Sequence, residues 1–564
     1  MSNKPRITPG GVAQAGAAMA YHTGSWRTQR PTHVHAIAPC HHACPAGEDP
    51  QAYLALLDED RPREAWEALV AANPLPGVTG RVCPHFCESA CNRSELDEAV
   101  AIHSVERFLG DEALAQGWAY PVDPPAADAP IVAAVGAGPA GLSFAYHALQ
   151  LGWRARLFDA LPEAGGVCRS AIPTYRLPRT VLDGEVERLL SLPGLEFQPH
   201  MRFGLDFDLQ DLLQDHAGVF LGLGTQRPHP WDIGGAIPAD LHNGLDLLKE
   251  WLDHGSIPSY RRVAVVGGGN TSVDLARVLK RAGAEHVYLV THAALPNQGE
   301  SPGDEMPALA REVAQALEEG VEILTHKGVH RLLLQGERVV GVEITHMKKL
   351  PDASGHAVRT AFEGTETVLP VDAVIPAVGE VIDPTGLEAL LNGAPYLKTD
   401  QDGFAGHALV YAGGDMNGRS GTVTEAIGDG RRAAMALHAR VRDVEAYAPL
   451  SPIAGWEQIN PAYYEPSPRI QETVLPVAKR TGCAEIEPGP SAHQAHREAG
   501  RCLSCGMCLA CDNCFTLCPD QAVLKSPENL EDGSRYVFDY DYCKGCGLCA
   551  RECPCGFIQM IDEY

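Results

Sequence analysis

The chain has 564 residues, 45% hydrophobic and 21% charged, which describes a globular protein too long for one core and expected to hold three or four domains. A formal net charge of -27 at pH 7 argues against nucleic acid or an anionic membrane as a partner, and thiolate-bound metal would make the chain more acidic still. Eighteen cysteines, packed into Cys-x-x-Cys runs in a large chain whose Gly11 to Ala20 stretch holds no Leu, Ile or Phe, read as metal ligands in a cytoplasmic protein rather than as disulfides.

Residues 1–35 are rich in Gly, Ala and polar residues and are expected to form an extended arm. From 36 to 120 apolar residues recur at helical spacing, as in Ala52–Leu57 and Ala65–Val70. Cys40-x3-Cys44 and Cys83-x3-Cys87-x3-Cys91 interrupt that pattern. Five cysteines in two groups suit one [4Fe-4S] cluster, which takes four ligands; zinc is the alternative. The proline-rich Ala119–Pro130 segment is a linker.

Next comes the stretch Ile131 to Leu142, five apolar residues running into Gly136, Gly138 and Gly141. The three glycines serve a tight turn, close approach to a pyrophosphate, and close helix-to-strand packing. The following helix then turns its free amides toward a phosphate. Asp159 closes the next apolar run, at the distance expected of a ribose-binding acid. Ile131 to Trp153 carries no charge, but its glycines and Pro139 mark strand-turn-helix rather than a membrane span. Gly165 and Gly166 follow, then the arginine-bearing loop Ile172–Pro178. Val219–Thr225 reads as a strand returning to the same sheet.

A second strand-turn-helix begins at Arg262, with Gly267 and Gly269 in the glycine positions and Ser272 where the third would stand. The next strand ends in Thr291 and His292, with neither an acid for a ribose nor an arginine for a 2′-phosphate. His292 sits either beside an adenosine or in a solvent-facing loop. Val371–Gly379 and Leu409–Asp415 read as further buried strands, and Thr422 opens a helix. A dinucleotide-binding domain over 241–371 is thus expected inside a first one made of 130–240 and 372–445. Residues 446–500 are proline-rich and read as a docking linker.

Residues 501–564 carry two bacterial ferredoxin runs: Cys508, Cys511, Cys514 and Cys518-Pro519, then Cys543, Cys546, Cys549 and Cys553-Pro554. In such runs three cysteines hold one cubane and the fourth crosses to the other. Cys502 and Cys505 offer a shifted register, but only the one ending in Cys-Pro occurs twice. Cys168, Cys483 and Cys555 stand outside any run.

From Cys40 to Ala434 the chain resembles the small subunit of glutamate synthase and its wider flavoprotein family. The resemblance rests on Gly80-Arg-Val-Cys83, Cys87-Glu-x2-Cys91, Gly136-Ala-Gly-Pro-Ala-Gly141, Ile172-Pro-x-Tyr-Arg-Leu-Pro178, Gly267-Gly-Gly-Asn270 and Gly413-Gly-Asp415. It implies FAD in the first domain, near Gly136, Gly138, Pro139, Ala140, Gly141, Asp159, Gly165, Gly166, Arg176, Asp415 and Thr422. It implies NAD(P) in the second, near Gly267, Gly269, Asn270, Thr271 and Asp274, with His292 and Gly379 as further candidates. Relatives with two N-terminal clusters have another Cys-x-x-Cys upstream; its absence here implies one cluster, hence three in all. Glu106 falls where some relatives supply a carboxylate or amide ligand, though an exposed helix residue is the plainer reading. The lack of arginine after Thr291 favours NAD.

The arm Thr23–Pro31 and the run from Cys543 resemble the ferredoxin-like subunit of 2-oxoacid:ferredoxin oxidoreductases. Cys40 through Val100 also resembles the iron-sulfur flavoprotein associated with dissimilatory sulfite reductase. The expected fold is α/β: two Rossmann-like domains, one inserted in the other, an N-terminal helical Fe-S domain and a C-terminal α+β ferredoxin-like domain. The expected function is electron exchange between NAD(P)(H) and a partner redox enzyme in a hetero-oligomer, with no residue named as a catalytic acid or base. A 2-oxoacid:acceptor oxidoreductase is the favoured partner. The alternatives are electron input to glutamate synthase or dissimilatory sulfite reductase, or a non-catalytic Fe-S scaffold.

Overall fold

The computed structural model describes residues 22–563 except 232, 234–237, 239–240, 300–302, 352–356, 408, 420, 447–450 and 531–532. Its helical part starts three successive helices with a proline in the first turn, where the missing N–H costs nothing: Pro50–Asp58, Pro62–Val70 and Pro76–Val82. Tyr53 and Trp66 fill the space between them, fully buried. The helix Ile102–Gln116 crosses Pro76–Val82 at a glycine seam. A Cβ on Gly80 would press on the Arg107 backbone at 2.6 Å, and one on Gly110 would strike Gly77. Only glycine permits so close an approach.

The first parallel sheet orders its strands as Val410–Ala412, Val219–Leu221, Ile131–Val135, Arg154–Phe158 and Leu195–Gln198. Its central strand is buried from Val132 to Val135, as a parallel strand covered on both faces must be. The helices Pro139–Gln150 and Val423–Arg442 pack on it, with Ser143 Oγ donating to the Ile427 carbonyl at 2.7 Å. Phe144 stacks on Phe220 with ring centroids 4.8 Å apart.

The second parallel sheet runs Ala373–Pro376, Arg262–Val266, His286–Val290, Val321–Leu324. The strand Ala373–Pro376, expected in the first domain, therefore belongs to the second. A short apolar run suits either buried sheet, and only its pairing with Val263–Val266 decides. An antiparallel sheet of Lys327–Gln335, Arg338–Pro351, Ala357–Ala361 and Thr367–Leu369 flanks it. The two crossings between domains lie side by side, Arg227–Pro228 pairing with Glu380–Val381.

Two more expectations change. Within the stretch read as a docking linker, 446–500, the described residues strap the domains of this chain together. Arg469 reaches Glu88 at 2.6 Å, and Glu498, on the helix Ala492–Ala499, accepts from the Ala101 N–H at 2.7 Å. The described part of the arm is an edge strand, Gln29–His33, paired antiparallel with Ile558–Asp562 of the terminal domain. Arg27 is held by Glu563 and the Tyr540 carbonyl, and Arg30 lies over the Tyr540 ring. Trp26, beside them, is left 68% exposed. Residues 1–21 lie outside the described residues. Among the described residues no helix is long and apolar enough to cross a membrane.

Candidate functional site

A cavity of about 400 Å³ opens at the carboxyl ends of the first sheet's strands and reaches across to the second domain. Gly136, Gly138, Pro139, Ala140, Asp159, Gly166, Arg176, Asp415 and Thr422 line it from the first domain and the loops around it. Asn270, Thr271, Asp274 and Gly379 close the far side. Gly141, Gly165, Gly267, Gly269 and His292 are not in the lining.

The glycines divide by task. Gly136 has φ +98° and Gly141 abuts the Gly136 carbonyl, so neither has room for a side chain. Gly138 meets only the Gly166 Cα, at 3.8 Å, which leaves its face toward the cavity open for a close-lying phosphate. In the second turn Gly267 is crowded by the Ala377 carbonyl, whereas a Cβ on Gly269 would have nothing within 4 Å. Ser272 replaces the third glycine by donating from Oγ to the Gly269 carbonyl at 2.6 Å.

Asp159 accepts from the Ala137 N–H at 2.6 Å and the Leu161 N–H at 2.8 Å, which fixes its carboxylate at the strand end. Burial pushes its pKa up, and those amides pull against it. Arg176, in the cavity wall, also donates to Asp274 at 2.7 Å and forms an ion pair with Glu312 at 3.1 Å, clamping its loop to the second domain. Tyr175 beside it lies under Arg277 and Arg281, 4.7 and 3.8 Å from their guanidinium carbons. Burial lifts Asp274 to about 6 despite the pull of Arg176. Thr422 caps the helix Val423–Arg442 through Glu425. His292 is half-buried, and the strand end before it bonds Lys327, whose N–H donates to the Thr291 carbonyl at 2.8 Å.

The N-terminal cysteines, expected to serve one cluster, fall into two groups. Around Cys44 stand Cys83, Glu48 and Glu106; around Cys87 stand Cys44, Cys83 and Glu48. Around Cys40 stand Cys91, Cys502 and Cys505. Glu106 is buried on the helix brought in by the glycine seam. Asn73 and Thr79 both donate to its Oε1, and neither occupies Oε2. Burial raises it well above the usual carboxylate range and lifts Glu48 to about 7. The plain reading of Glu106 as an exposed helix residue is thus replaced by a buried carboxyl facing thiols. Buried thiols with a buried carboxyl among them are a donor set that suits a cubane cluster. Val82 and Pro84, on either side of Cys83, line the large cavity, so this group lies against it. Sequence reasoning passed over Glu48 and Asn73, which carry no motif. His85, Glu88 and His103 also converge within 4.8 Å, but Arg469 and Glu472 already satisfy Glu88 and His103.

In the terminal domain Cys514 stands among Cys508, Cys511, Cys549 and Cys553, and Cys549 among Cys543, Cys546 and Cys518. The fourth cysteine of each run thus reaches the other run's group. Of the cysteines outside the runs, Cys168 and Cys555 are buried and Cys483 is exposed.

The pyridine nucleotide-disulphide oxidoreductase family matches residues 130–430. The dihydropyrimidine dehydrogenase domain II, 4Fe-4S cluster family matches 28–118, and the 4Fe-4S dicluster domain matches 507–557. The NADP(+)-dependent formate dehydrogenase subunit beta of Moorella thermoacetica is 33% identical over 83% of this chain and 70% of its own. The NADPH-Fe(3+) oxidoreductase subunit beta of Geobacter sulfurreducens is 32% identical over 86% of this chain and 78% of its own. The glutamate synthase [NADPH] small chain of Escherichia coli is 33% identical over 70% of this chain and 87% of its own.

Proposed function

We propose that this chain, which belongs to the pyridine nucleotide-disulphide oxidoreductase family, is the flavin-bearing subunit that passes electrons between NAD(P)(H) and a partner redox enzyme. The observation that carries this is the position of Cys83, which sits between two residues of the cavity wall shared by both dinucleotide domains. When bound there, FAD supplies the change between hydride and single-electron chemistry. Gly138 and the Pro139–Gln150 helix start would hold its pyrophosphate and Asp159 its ribose. Asn270, Thr271 and Gly379 would bring the nicotinamide nucleotide to the same cavity. Cys44, Cys83, Cys87 and Glu106 would hold the cluster beside it, and the two terminal runs would hold two more. Purified protein should contain one FAD, and its flavin absorbance should bleach with reduced nicotinamide nucleotide; absence of bound flavin would refute the reading.

NAD(H) is the preferred nucleotide in this proposal, because no arginine follows Thr291. The relatives named above carry NADP(+) or NADPH in their names, so the two nucleotides must be compared directly. A tenfold preference needs about 1.4 kcal/mol. Comparing kcat/KM for NADH and NADPH tests this; a higher value with NADPH would overturn it.

The proposed partner is a 2-oxoacid:acceptor oxidoreductase in the cytoplasm. The two segments that carry that resemblance, far apart in sequence, share one small sheet through Gln29–His33 and Ile558–Asp562, which supports a single docking face. Affinity capture from native extract, followed by a 2-oxoacid- and coenzyme A-dependent assay of nucleotide reduction, tests it. Trp26→Ala should weaken capture, since exposed Trp often anchors interfaces. Recovery of sulfite reductase or glutamate synthase subunits would overturn it.

A further inference from the structure

Cys502 and Cys505 lie outside the ranges of the two matching iron-sulfur families, between the linker and the first terminal run. They are nonetheless built into the N-terminal domain. Asn92 donates from Nδ2 to Cys505 Sγ at 3.5 Å and to the Ala454 carbonyl at 2.9 Å. Gln51 donates to the Cys505 carbonyl at 2.8 Å, and Arg93 to the Arg501 carbonyl. Gly506, at φ +75°, turns the chain so tightly against Ala36 that no Cβ would fit. Tyr464 donates to the Leu503 carbonyl at 2.8 Å, closing the loop from its other side.

Four thiols meet at this junction. Cys502, Cys91 and Cys505 are neighbours of Cys40, and Cys505 and Cys91 are neighbours of Cys502. All four are free thiols; Cys40 and Cys505 are buried, Cys91 and Cys502 half-buried. The remaining N-terminal thiols, Cys44, Cys83 and Cys87, form the other group with Glu106. Each group takes one member of the pairs Cys40/Cys44 and Cys87/Cys91, which are four residues apart, so the two groups are adjacent. On its far side the junction touches the terminal domain: Gly506 N–H donates to the Cys555 carbonyl at 2.7 Å, and Cys555 Sγ is 3.8 Å from Cys553 Sγ.

We propose that Cys40, Cys91, Cys502 and Cys505 ligate a fourth [4Fe-4S] cluster, with half its ligands supplied by the segment that leads into the terminal domain. Four cysteines are the usual complement of such a cluster, and the polar framework around Cys505 fixes a loop that would otherwise be free to leave. The site stands between the cluster beside the cavity and the terminal pair, linking two parts of the molecule that sequence separates by 400 residues or more. It goes beyond the electron-transfer reading and does not depend on the partner's identity.

The test uses the full chain purified anaerobically. Native mass spectrometry with iron and sulfide analysis should find about sixteen irons per chain, four for each of four cubanes. The double variant Cys502→Ser/Cys505→Ser should hold about twelve, keep its FAD and still bleach with reduced nucleotide. Four clusters in the wild-type mass support the site even where the variant fails to fold. About twelve irons in the wild type, a zinc ion in place of the fourth cluster, or an unchanged iron count in the double variant would overturn it. Loss of flavin or of its bleaching would instead count against the electron-transfer reading, so the two failures are distinct.

Discussion

Asn92 donates a hydrogen bond to the sulfur of Cys505 across 413 residues of sequence. An N–H pointed at a cluster sulfur favours the more negative, reduced state and raises its potential. In Asn92→Ala, iron content should hold while one cluster's midpoint potential falls. A differential of about 1 kcal/mol corresponds to roughly 40 mV for one electron. An EPR-monitored redox titration of both proteins measures this, and identical midpoints would show that the bond lacks that role.

The two glycines of the first turn should separate stability from binding. Gly141→Ala drives a Cβ into the Gly136 carbonyl and should cost about 1–3 kcal/mol by overpacking, with flavin lost as well. Gly138→Ala meets no protein atom nearer than 3.8 Å, so the apoprotein should melt as the wild type does while FAD affinity falls. Thermal melts of apoprotein and FAD titrations distinguish the two.

Arg176→Gln removes the guanidinium shared by the buried Asp274 and Glu312. Leaving a buried carboxylate without its partner should destabilise the protein by about 3–5 kcal/mol. Arg176→Lys should recover only part of this, because one ammonium cannot span both acids with the same geometry. Urea unfolding, read beside FAD content, checks whether this arginine holds domains together more than it holds flavin.

Burial opposes ionisation of Glu319, yet hydrogen bonds from Arg277 and Arg281 bring it down to about 2 from 4.5. A carboxyl with a lowered folded pKa stabilises fully above its unfolded value and loses that contribution as pH falls through the folded one. Glu319→Gln should therefore cost about 1–2 kcal/mol at neutral pH, with the gap to wild type closing between pH 4.5 and 2. Denaturant melts across that range decide it; a constant gap would mean the loss is packing rather than charge.

Local chemistry wrote several features directly into the sequence. Gly136, Gly138 and Gly141 are required by backbone conformation and close approach, so their tasks are visible in a dozen residues of sequence. The terminal Cys-Pro runs carry both ligand type and spacing, and the apolar runs at Ile131 and Arg262 announce buried parallel strands. What the sequence left open was every pairing between distant segments. The strand Ala373–Pro376 suits either sheet, and its partner alone assigns it. Arg176 lies in a loop motif, but its charge goes to Asp274 because folding buries both together. Cys502-x2-Cys505 looks like a misaligned ferredoxin run until Gly506 turns it against Ala36 and Asn92 reaches its sulfur. Periodicity and spacing report the demands of short stretches of chain. Which thiols share a site depends on helix approach and loop closure, and those are set by the packed molecule as a whole.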